Sequence, residues 1–500
     1  MSHRVIVREA LHRKLALHLL SGFRRGGLQE EACLALWRRG DGWNRYTGVL
    51  HEVVLPEAGD RDLHGNVTVQ GGYLNRVVDL AVRQNSGVAV LHSHPGPGWQ
   101  SLSGMDEDTE STIVAPFVRE TGIPLLGMTM GSDGVWSARF WQGKGRGHFE
   151  PAMCKDVRRV GPRHTHADSP PGARPSYARR EGLVRTVDCW GLEAQARLAR
   201  THVCVVGAGS VGSIVVEALA RTGLETLTIV DEDVVEEKNL DRLIYGDRYC
   251  VGVPKADLAA ARARRVSTAH CPVVHAVPLS IRTERAYRMA ADADVIVCCV
   301  DNAEAREVVN HLAYANCLAL IDGGVLVDSG ERLLSAKWRV HLAGPDMRCL
   351  RCRGQYTSSD ARDERMGIRR RGRYLDWEPA EGPEPGQNTI AFCGVVAAET
   401  IRMLVRYVIG EHWWHDAATN RGQWALEHRF VEAETELFDH PGRCVASCEF
   451  TRKRLGTGEA GRPPYPFAEV PRDGPLQRAA CMYRSARVRI SRAIAALRGV

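Results

Sequence analysis

Short apolar runs, separated by polar and glycine-rich segments, divide the chain into regions of different pattern. Residues 1–150 alternate apolar runs such as CLALW and VAVLHSH with helical stretches, which predicts a small α/β or α+β domain. Residues 181–450 repeat the order strand, glycine turn, helix and strand, which predicts a doubly wound α/β domain with a mainly parallel sheet. Between these two regions, residues 151–180 are rich in Pro, Gly, Arg and His without an apolar period, and a linker is predicted. Residues 451–500 form a predicted basic tail.

Composition and charge narrow the class of protein. A length of 500 residues suggests about three folding units, and a content of 44% apolar and 25% charged residues is typical of globular chains. The net charge is +6, but residues 451–500 hold eleven Lys and Arg against three acidic residues, so the rest of the chain carries −2. A nucleic-acid partner is therefore not indicated.

Cysteine usage and the apolar stretches bear on location. Fifteen cysteines in a long chain without a secretory leader pattern favour reduced thiols or metal ligands and a cytoplasmic location. The run LALHLL near the N-terminus is short and contains a histidine, unlike the core of a signal peptide. The longest apolar stretch, residues 203–220, is interrupted by glycines and Glu217. No transmembrane segment and no membrane partner are predicted.

A pair of histidines follows the predicted strand VAVL. His92 and His94 lie two residues apart, so on an extended segment both side chains point to one side, and Asp106 follows after a glycine-rich loop. Two imidazoles and a carboxylate leave a tetrahedral zinc ion one open position for water, which is typical of a catalytic site. Such a site also needs a base that is not a ligand, and Glu31 in LQEEACLALW is the candidate.

These residues resemble the JAMM motif of the JAB/MPN zinc metalloproteases, in which an upstream glutamate precedes His-x-His-Pro and a later Ser-x-x-Asp. The resemblance implies that zinc is bound by His92, His94 and Asp106, that Glu31 shuttles the proton and that Ser103 stabilises the oxyanion.

Three alternatives accompany this interpretation. Glu30 is the less favoured neighbour for the base. Asp108 is the alternative third ligand, because the interval from His94 to Ser103 is one residue longer than the family pattern. A second pair, His164 and His166 with Asp168 nearby, lies in the predicted linker without strand support and is interpreted as a decoy.

A glycine fingerprint opens the second domain. Gly207, Gly209 and Gly212 follow an apolar strand and precede a helix, and Asp231 ends the next strand. The glycines permit a tight turn and close approach to a phosphate, the helix N-terminus favours an anion, and the acid is suited to ribose hydroxyls. On this fingerprint alone, an NAD-linked dehydrogenase is the leading interpretation.

The residues that follow favour nucleotidyl transfer instead, because a triphosphate needs cations and amide groups around it and a magnesium ion needs a carboxylate. Residues of these types follow the fingerprint: Asp233, Asn239, Arg242, Lys255 and, at the end of the strand DVIVCCV, Asp301.

This arrangement is similar to the ThiF/MoeB adenylyltransferases and ubiquitin-activating enzymes over roughly residues 180–450. The resemblance implies a Rossmann-like domain that uses ATP and Mg²⁺ to adenylate the C-terminal glycine of a ubiquitin-like protein with release of pyrophosphate. It implies that Asp231 holds the ribose, that Asp301 binds magnesium and that Arg185 reaches across a homodimer to the partner's triphosphate. Its implied phosphate contacts are Asn239, Arg242 and Lys255.

Two cysteine pairs predict a second, structural zinc site. Cys349 and Cys352 could form one half of it and Cys444 and Cys448 the other, because four thiolates make a closed tetrahedral site. A thioester-forming cysteine is expected between the first pair and the following helix, but residues 353–388 contain none. Cys393 fits a buried helical pattern and is interpreted as core.

Taken together, these motifs predict a bifunctional enzyme of a bacterial-type ubiquitin-like pathway, by association one of antiviral defence. One head would cleave after the C-terminal glycine of a small protein, the other would adenylate that glycine, and a conjugating enzyme is a further expected partner. The alternatives are trimming and activation of a sulfur-carrier protein for cofactor synthesis, and a scaffold with one inactive head.

Overall fold

Strands and helices alternate along most of the chain in the computed structural model, which describes residues 2–145, 147–162, 165–170, 181–329, 333–367, 388–410, 425–431, 434–438, 444–445 and 447–469. The chain divides into two units. The first comprises Met1–Tyr177, Tyr314–Cys317 and Glu449–Arg462, and the second comprises Ala178–Ala313, Leu318–Cys448 and Pro463–Val500.

The first unit contains these strands: β1 (Ser2–Arg8), β2 (Ala32–Arg39), β3 (Arg45–Val54), β4 (Arg61–His64), β5 (Asn66–Val69), β6 (Gly87–Ser93), β7 (Leu125–Met130), β8 (Trp136–Gly145), β9 (His148–Met153), β10 (Asp156–Val160) and β11 (Thr165–Asp168). Its helices are α1 (Glu9–Leu19), α2 (Gly71–Arg83) and α3 (Gly104–Thr121).

The main sheet of this unit is mixed and has the order β11-β10-β1-β3-β2-β6-β7-β8-β9, while β4 and β5 form a separate hairpin. Strand β2 shows why helices cover both faces. Its odd positions, Cys33, Ala35 and Trp37, pack in a core with Leu15 and Leu19 of α1. Its even positions, Leu34 and Leu36, pack in a second core with buried residues of α2 and α3. Alternation along the strand therefore assigns each side chain to one of two helical layers.

The predicted linker is partly wrong. Residues 156–160 form β10 and residues 165–168 form β11, and β10 pairs in parallel with β1, so the sheet continues past residue 150. The apolar pattern of a strand is missing here because β10 places charged side chains in the interior of the unit. Asp156 accepts hydrogen bonds from Arg4, one of them 2.7 Å long, and both residues are buried. Residues 171–180 lie outside the described residues. The predicted tail also divides, since residues 449–462 belong to the first unit and residues 470–500 are outside the described part.

The second unit contains these strands: β12 (His202–Val206), β13 (Thr226–Val230), β14 (Val273–Val277), β15 (Val295–Cys298), β16 (Ala319–Ser329), β17 (Leu333–Ala343), β18 (Ala425–Val431) and β19 (Glu434–Phe438). Its helices are α4 (Val184–Arg200), α5 (Ser210–Arg221), α6 (Lys255–Val266), α7 (Glu284–Ala291), α8 (Ala303–Ala315), α9 (Ser358–Arg365) and α10 (Ile390–Ile409).

Its sheet has the order β14-β13-β12-β15-β16-β17-β18-β19. The first five strands in this order are parallel, and the last three continue antiparallel from β16. The chain order therefore reverses between β12 and β15, which creates the switch point where α/β sheets bind ligands. The predicted α/β class with a mainly parallel, Rossmann-like sheet is confirmed for this unit.

The helices of this unit owe their positions to burial of apolar faces. Strand β12 is buried throughout, as a central parallel strand covered on both faces requires. Helix α10 contributes ten buried residues and packs against α5 and β16. Among the described residues, we find no helix that combines the length and apolar character needed to cross a membrane.

Candidate functional sites

The histidine pair and Asp106 come together in the first unit. His92 is the second-last residue of β6, His94 follows directly after this strand, and Asp106 lies in the first turn of α3, whose N-cap is Ser103. Nε2 of His92 lies 3.2 Å from Nε2 of His94 and 3.2 Å from Oδ1 of Asp106, and His94 Nε2 lies 3.3 Å from Oδ2. The three donor atoms lie within 4.8 Å of one another, so two imidazoles and one carboxylate can share a metal ion.

The capping of α3 explains which acid completes this triad. The Ser103 hydroxyl donates to Oδ2 of Asp106 at 2.7 Å and accepts from the Asp106 backbone N–H, which forms a capping box. Asp108, the alternative ligand, is exposed. Burial alone would raise the pKa of Asp106, but hydrogen bonds from His92 and His94 lower it well below its usual range.

The two neighbouring glutamates point to different sides of β2. The pairing of Ala32 with His92 extends to Glu31 opposite Ser93, where the Ser93 N–H donates to the Glu31 carbonyl at 3.0 Å. Glu31 therefore shares the face of Cys33, away from the histidines. Glu31 is 5% exposed, and its carboxylate accepts hydrogen bonds from Arg61 at 2.8 and 3.3 Å. The structure does not bring the carboxylate of Glu31, the expected base, to the triad.

Glu30 lies on the other face, opposite His94 in the same register. Burial is the main reason why the pKa of Glu30 is raised. The charges of His94 and His92 lower this pKa, and the charge of Asp106 raises it. The face on which a strand residue lies is set by the register with the partner strand, so the sequence alone does not show that Glu30, and not Glu31, shares the face of the histidines.

A cavity of about 600 Å³ lies in the second unit beyond the carboxyl ends of β12, β13 and β15. It is the switch point of the sheet. Its lining includes eight of the residues that the sequence predicted: Gly207, Gly209, Asp231, Asp233, Asn239, Arg242, Lys255 and Asp301.

The backbone geometry requires glycine at two positions, one in this turn and one on the helix behind it. Gly207 has a φ of 91°, and a Cβ there would lie 2.7 Å from the Cys299 carbonyl oxygen. Gly212 lies on α5 behind the turn, where a Cβ would come within 1.9 Å of the Gly207 carbonyl oxygen. The turn can therefore bring its backbone and the N-terminus of α5 close to a phosphate.

Asp231 is tied to the same turn. Its Oδ2 accepts from the Ala208 N–H at 2.6 Å, and its Oδ1 accepts from the Asp233 N–H at 2.8 Å. Burial raises the pKa of Asp231 to about 6, although these hydrogen bonds act in the opposite direction. A carboxylate held at the end of β13 in this way is placed to accept hydrogen bonds from ribose hydroxyls.

The cations of the cavity are paired with nearby oxygen atoms. Nζ of Lys255, which begins α6 and is 9% exposed, donates to Oδ2 of Asp233 at 2.8 Å. Arg242 donates to the Lys238 carbonyl at 2.7 Å and to Oδ1 of Asp241 at 2.8 Å. Phosphate oxygens could replace the carboxylate partners of both cations.

Two further predicted residues lie near these groups. Asn239 uses its side-chain oxygen to accept from the Glu236 N–H at 3.1 Å. Asp301 follows β15, lines the cavity and is exposed, so its oxygens can meet a cation.

The four cysteines of the second predicted metal site also converge. Sγ of Cys349 lies 3.7 Å from Sγ of Cys448, and the Cys349 N–H donates to Sγ of Cys444 at 3.2 Å. All four sulfurs, including that of Cys352, lie within 4.8 Å of one another. Burial and the hydrogen bond with Cys448 raise the pKa of Cys352 to about 11. Four sulfur donors match the ligand set of a closed zinc site.

Comparison with known proteins decides the family of the second unit. The sequence model of the ThiF family matches residues 183–435, just over half of the chain. The chain belongs to the ThiF family. The region that carries this match holds the glycine turn, Asp231, Lys255 and Asp301.

The curated relatives are similar to this ThiF chain over part of their own length. A SAMP-activating enzyme E1 from Haloferax volcanii is 33% identical over 164 residues, 32% of this chain and 56% of that protein. The mouse adenylyltransferase and sulfurtransferase MOCS3 is 33% identical over 160 residues, covering 32% of this chain and 34% of that protein. The structure of Escherichia coli MccB with ATP has a TM-score of 0.41 at 17% identity, covering 55% of this chain and 75% of that chain. The chain thus spans about a third to just over half of these curated relatives.

Sequence reasoning missed a buried ion-pair network beside the cavity of the ThiF unit. Arg306 of α8 lines the cavity, and its Nε donates to Oδ1 of Asp322 on β16 at 3.0 Å. Arg339 of β17 donates to the other oxygen at 3.4 Å. Burial alone would raise the pKa of Asp322, but the charges of Arg306 and Arg339 lower it. An aspartate inside the apolar run ALIDGG was the available signal.

The remaining predicted residues that the structure describes do not line the cavity. Arg185 is the second residue of α4, is exposed and does not line the cavity, so its predicted role depends on a second subunit. Of the second histidine pair, His164 lies outside the described residues, and His166 lies 3.0 Å from Asp168 within the β10–β11 region. Cys393 is buried in α10, and burial raises its pKa to about 11, which does not suit a nucleophile.

Proposed function

We propose that the ThiF unit adenylates the C-terminal carboxylate of a ubiquitin-like or sulfur-carrier protein. The observation that carries this proposal is the cavity at the switch point, which gathers the glycine turn, the acid Asp231, the cations Arg242 and Lys255, and Asp301. The names of two relatives, an activating enzyme E1 and an adenylyltransferase, support the same chemistry. A dehydrogenase has no need for Arg242 and Lys255 in this place.

The residues of the cavity take separate roles in this reaction. A carboxylate oxygen of the small protein attacks the α-phosphorus of ATP, a new O–P bond forms, and the bond to pyrophosphate breaks. Lys255, Arg242 and Asn239 stabilise the charge on the phosphates, and Asp231 holds the ribose. Asp301 would hold Mg²⁺, which neutralises the charge on the leaving pyrophosphate. A homodimer in which Arg185 completes the partner's site belongs to the same proposal.

The four cysteines of the ThiF unit would hold a structural zinc ion. Their sulfurs come from two segments about a hundred residues apart in sequence, so a shared ion would fix both to the unit. No cysteine lies between residues 353 and 388, which favours direct transfer from the adenylate over a thioester in that loop. With the sulfurtransferase named among the relatives, this favours sulfur-carrier activation as the second candidate function.

We further propose that the first unit is a zinc peptidase that cleaves after the C-terminal glycine of the same small protein. The donor atoms of His92, His94 and Asp106 support a zinc ion, which would supply Lewis acidity toward a water molecule. Glu30 would take the proton from that water and pass it to the leaving amine. The Ser103 hydroxyl, which donates to Asp106 in this structure, would turn its proton toward the oxyanion and stabilise it.

Having both heads on one chain has a physical rationale. A small protein released by one head is at high effective concentration for the other, because both belong to one molecule. If a ubiquitin-like protein is the substrate, a conjugating enzyme would receive its activated carboxylate.

ATP–pyrophosphate exchange with candidate ubiquitin-like and sulfur-carrier proteins ending in Gly-Gly tests the proposal for the ThiF unit. We expect exchange that requires the small protein and Mg²⁺ and is lost in the Asp301→Asn variant. Binding of NADH without any exchange would contradict the proposal in favour of a dehydrogenase. An isolated lysine-linked product would favour the ubiquitin-like substrate over the sulfur carrier.

A further inference from the structure

The metal triad of the first unit joins two separate elements. His92 and His94 come from the end of β6, whereas Asp106 comes from the first turn of α3. The capping box fixes Asp106 within its own helix but does not fix the helix against the sheet. A contact one turn further along could do so, because residues four apart lie on the same face of a helix.

Glu110 occupies that position and is only 2% exposed. Its Oε2 accepts from Nε of Arg139 on β8 at 2.9 Å, and its Oε1 accepts from Nη2 of the same residue. The Trp141 indole N–H donates to Oε2 at 2.6 Å. Gly127 on β7 leaves the space for this pair, since a Cβ there would lie 2.4 Å from Glu110 Oε2. Helix α3 is thus bound to β8 by a planar, two-point ion pair.

The same arginine also reaches the histidine side of the triad. Arg139 is fully buried, and its Nη1 donates to the Thr129 hydroxyl at 3.0 Å. That hydroxyl lies 3.3 Å from Nε2 of His92, its neighbour in the parallel register of β6 and β7. The hydrogen bond from Arg139 therefore fixes the Thr129 hydroxyl against the edge of the His92 ring, which limits where that ring can lie.

We propose that Arg139, with Glu110 and Thr129, is a positioning residue that sets the metal affinity of the triad. The network links the helix of Asp106 to His92 through consecutive buried contacts, without contributing a ligand. This inference rests on the proposed metal site of the first unit.

The expected size follows from the behaviour of groups that orient metal ligands. Loss of such a group typically lowers metal affinity about 10–100-fold. Removing only one charge would leave the other buried and unpaired, which destabilises the fold, whereas replacing both ions by groups of similar shape is often neutral. The informative variant is therefore Glu110→Gln with Arg139→Met, since glutamine keeps an acceptor for the Trp141 indole.

The experiment measures Zn²⁺ affinity of the full chain by chelator competition, and the visible spectrum with Co²⁺ in place of Zn²⁺. The His94→Ala variant provides the contribution of the four cysteines alone. We expect the double variant to bind Zn²⁺ at the triad at least about tenfold more weakly, with a changed Co²⁺ spectrum, and Thr129→Val to show a smaller loss. The matched control is Arg4→Met with Asp156→Asn, which removes a buried ion pair between β1 and β10 that is not part of the series of contacts from Glu110 to His92.

Two results would overturn the inference while leaving the metal site intact. One is a folded double variant and a Thr129→Val variant that both bind Zn²⁺ within about twofold of wild type. The other is an equal loss of affinity in the Arg4/Asp156 control, which would show a general effect of stability. If the double variant fails to fold, Thr129→Val alone decides. If wild type and His94→Ala bind the same amount of Zn²⁺, the proposed metal site itself is wrong.

Discussion

Glutamine substitutions at Glu30 and Glu31 should separate proton transfer from structural support in the first unit. The two side chains differ by one position and lie on opposite faces of β2. Glu30→Gln removes the carboxylate that interacts electrostatically with His94, His92 and Asp106. Because general acid–base catalysis contributes about 10²–10⁴-fold, we expect cleavage after Gly-Gly in a model fusion to slow by that factor.

The expected effect of Glu31→Gln is on stability. The Glu31 side chain is 7% exposed and that of Arg61 21% exposed, and their atoms approach to 2.8 Å. A hydrogen bond between charged groups contributes about 1.5–3 kcal/mol to the free energy of unfolding, so its loss should lower the melting temperature by several degrees. Glu30→Gln should leave the free energy of unfolding within about 0.5 kcal/mol of wild type, since no ion pair is broken.

The assay compares cleavage rate, zinc content and melting temperature in wild type and both variants. Glu107→Gln, an exposed glutamate on α3, is the control for loss of a nearby charge and should behave as wild type. If Glu31→Gln abolishes cleavage at unchanged stability while Glu30→Gln cleaves normally, the assignment by strand face is refuted.

Three further outcomes are expected. Lys255→Met should lower ATP–pyrophosphate exchange by about 10²–10³-fold because a preorganised cation is lost; unchanged exchange would remove Lys255 from the site. Burial raises the pKa of Asp231 to about 6, so nucleotide affinity measured by calorimetry should fall as the pH drops below about 6, and Asp231→Asn should abolish this dependence. Without nucleotide the sign reverses: the native state binds this proton more tightly than the unfolded chain, so the stability that the carboxyl contributes is fully present below about pH 4 and is lost as the pH rises to about 6. Cys448→Ser should cost about one zinc ion per chain and lower the melting temperature, and unchanged zinc content would contradict the four-cysteine site.

The nucleotide site of the ThiF unit can be predicted from the sequence because its motif residues lie close together along the chain. The strand before Gly207, the helix after it and Asp231 at the end of the next strand occupy one continuous segment, and the observed order of β12, β13 and β15 brings that segment to the cavity. The cysteine pairs were also readable, since ligand spacing within each pair is short-range even though the pairs are distant from each other.

The errors concern features that depend on long-range pairing. Glu31 was preferred because its neighbours Ala32 and Cys33 fit a motif, but the face of a strand is set by its partner, here β6. The charges of β10 are typical of a solvated segment, so the sequence predicts a linker there. In the structure, Asp156 of β10 pairs with Arg4 of β1, which is distant in sequence. The sequence does not point to Arg306, because its partner Asp322 lies in the next element, β16, and the pair forms only in the folded unit.

Dependence of adenylation on the form of the substrate tests most directly whether both heads act on one carboxyl end. The measurement is ATP–pyrophosphate exchange with a small protein supplied either as mature Gly-Gly protein or as a precursor extended beyond that glycine. We expect the His94→Ala variant to exchange normally with the mature protein and to lose exchange with the precursor. Equal exchange with the precursor in wild type and His94→Ala, or no exchange with any mature protein, would contradict the account.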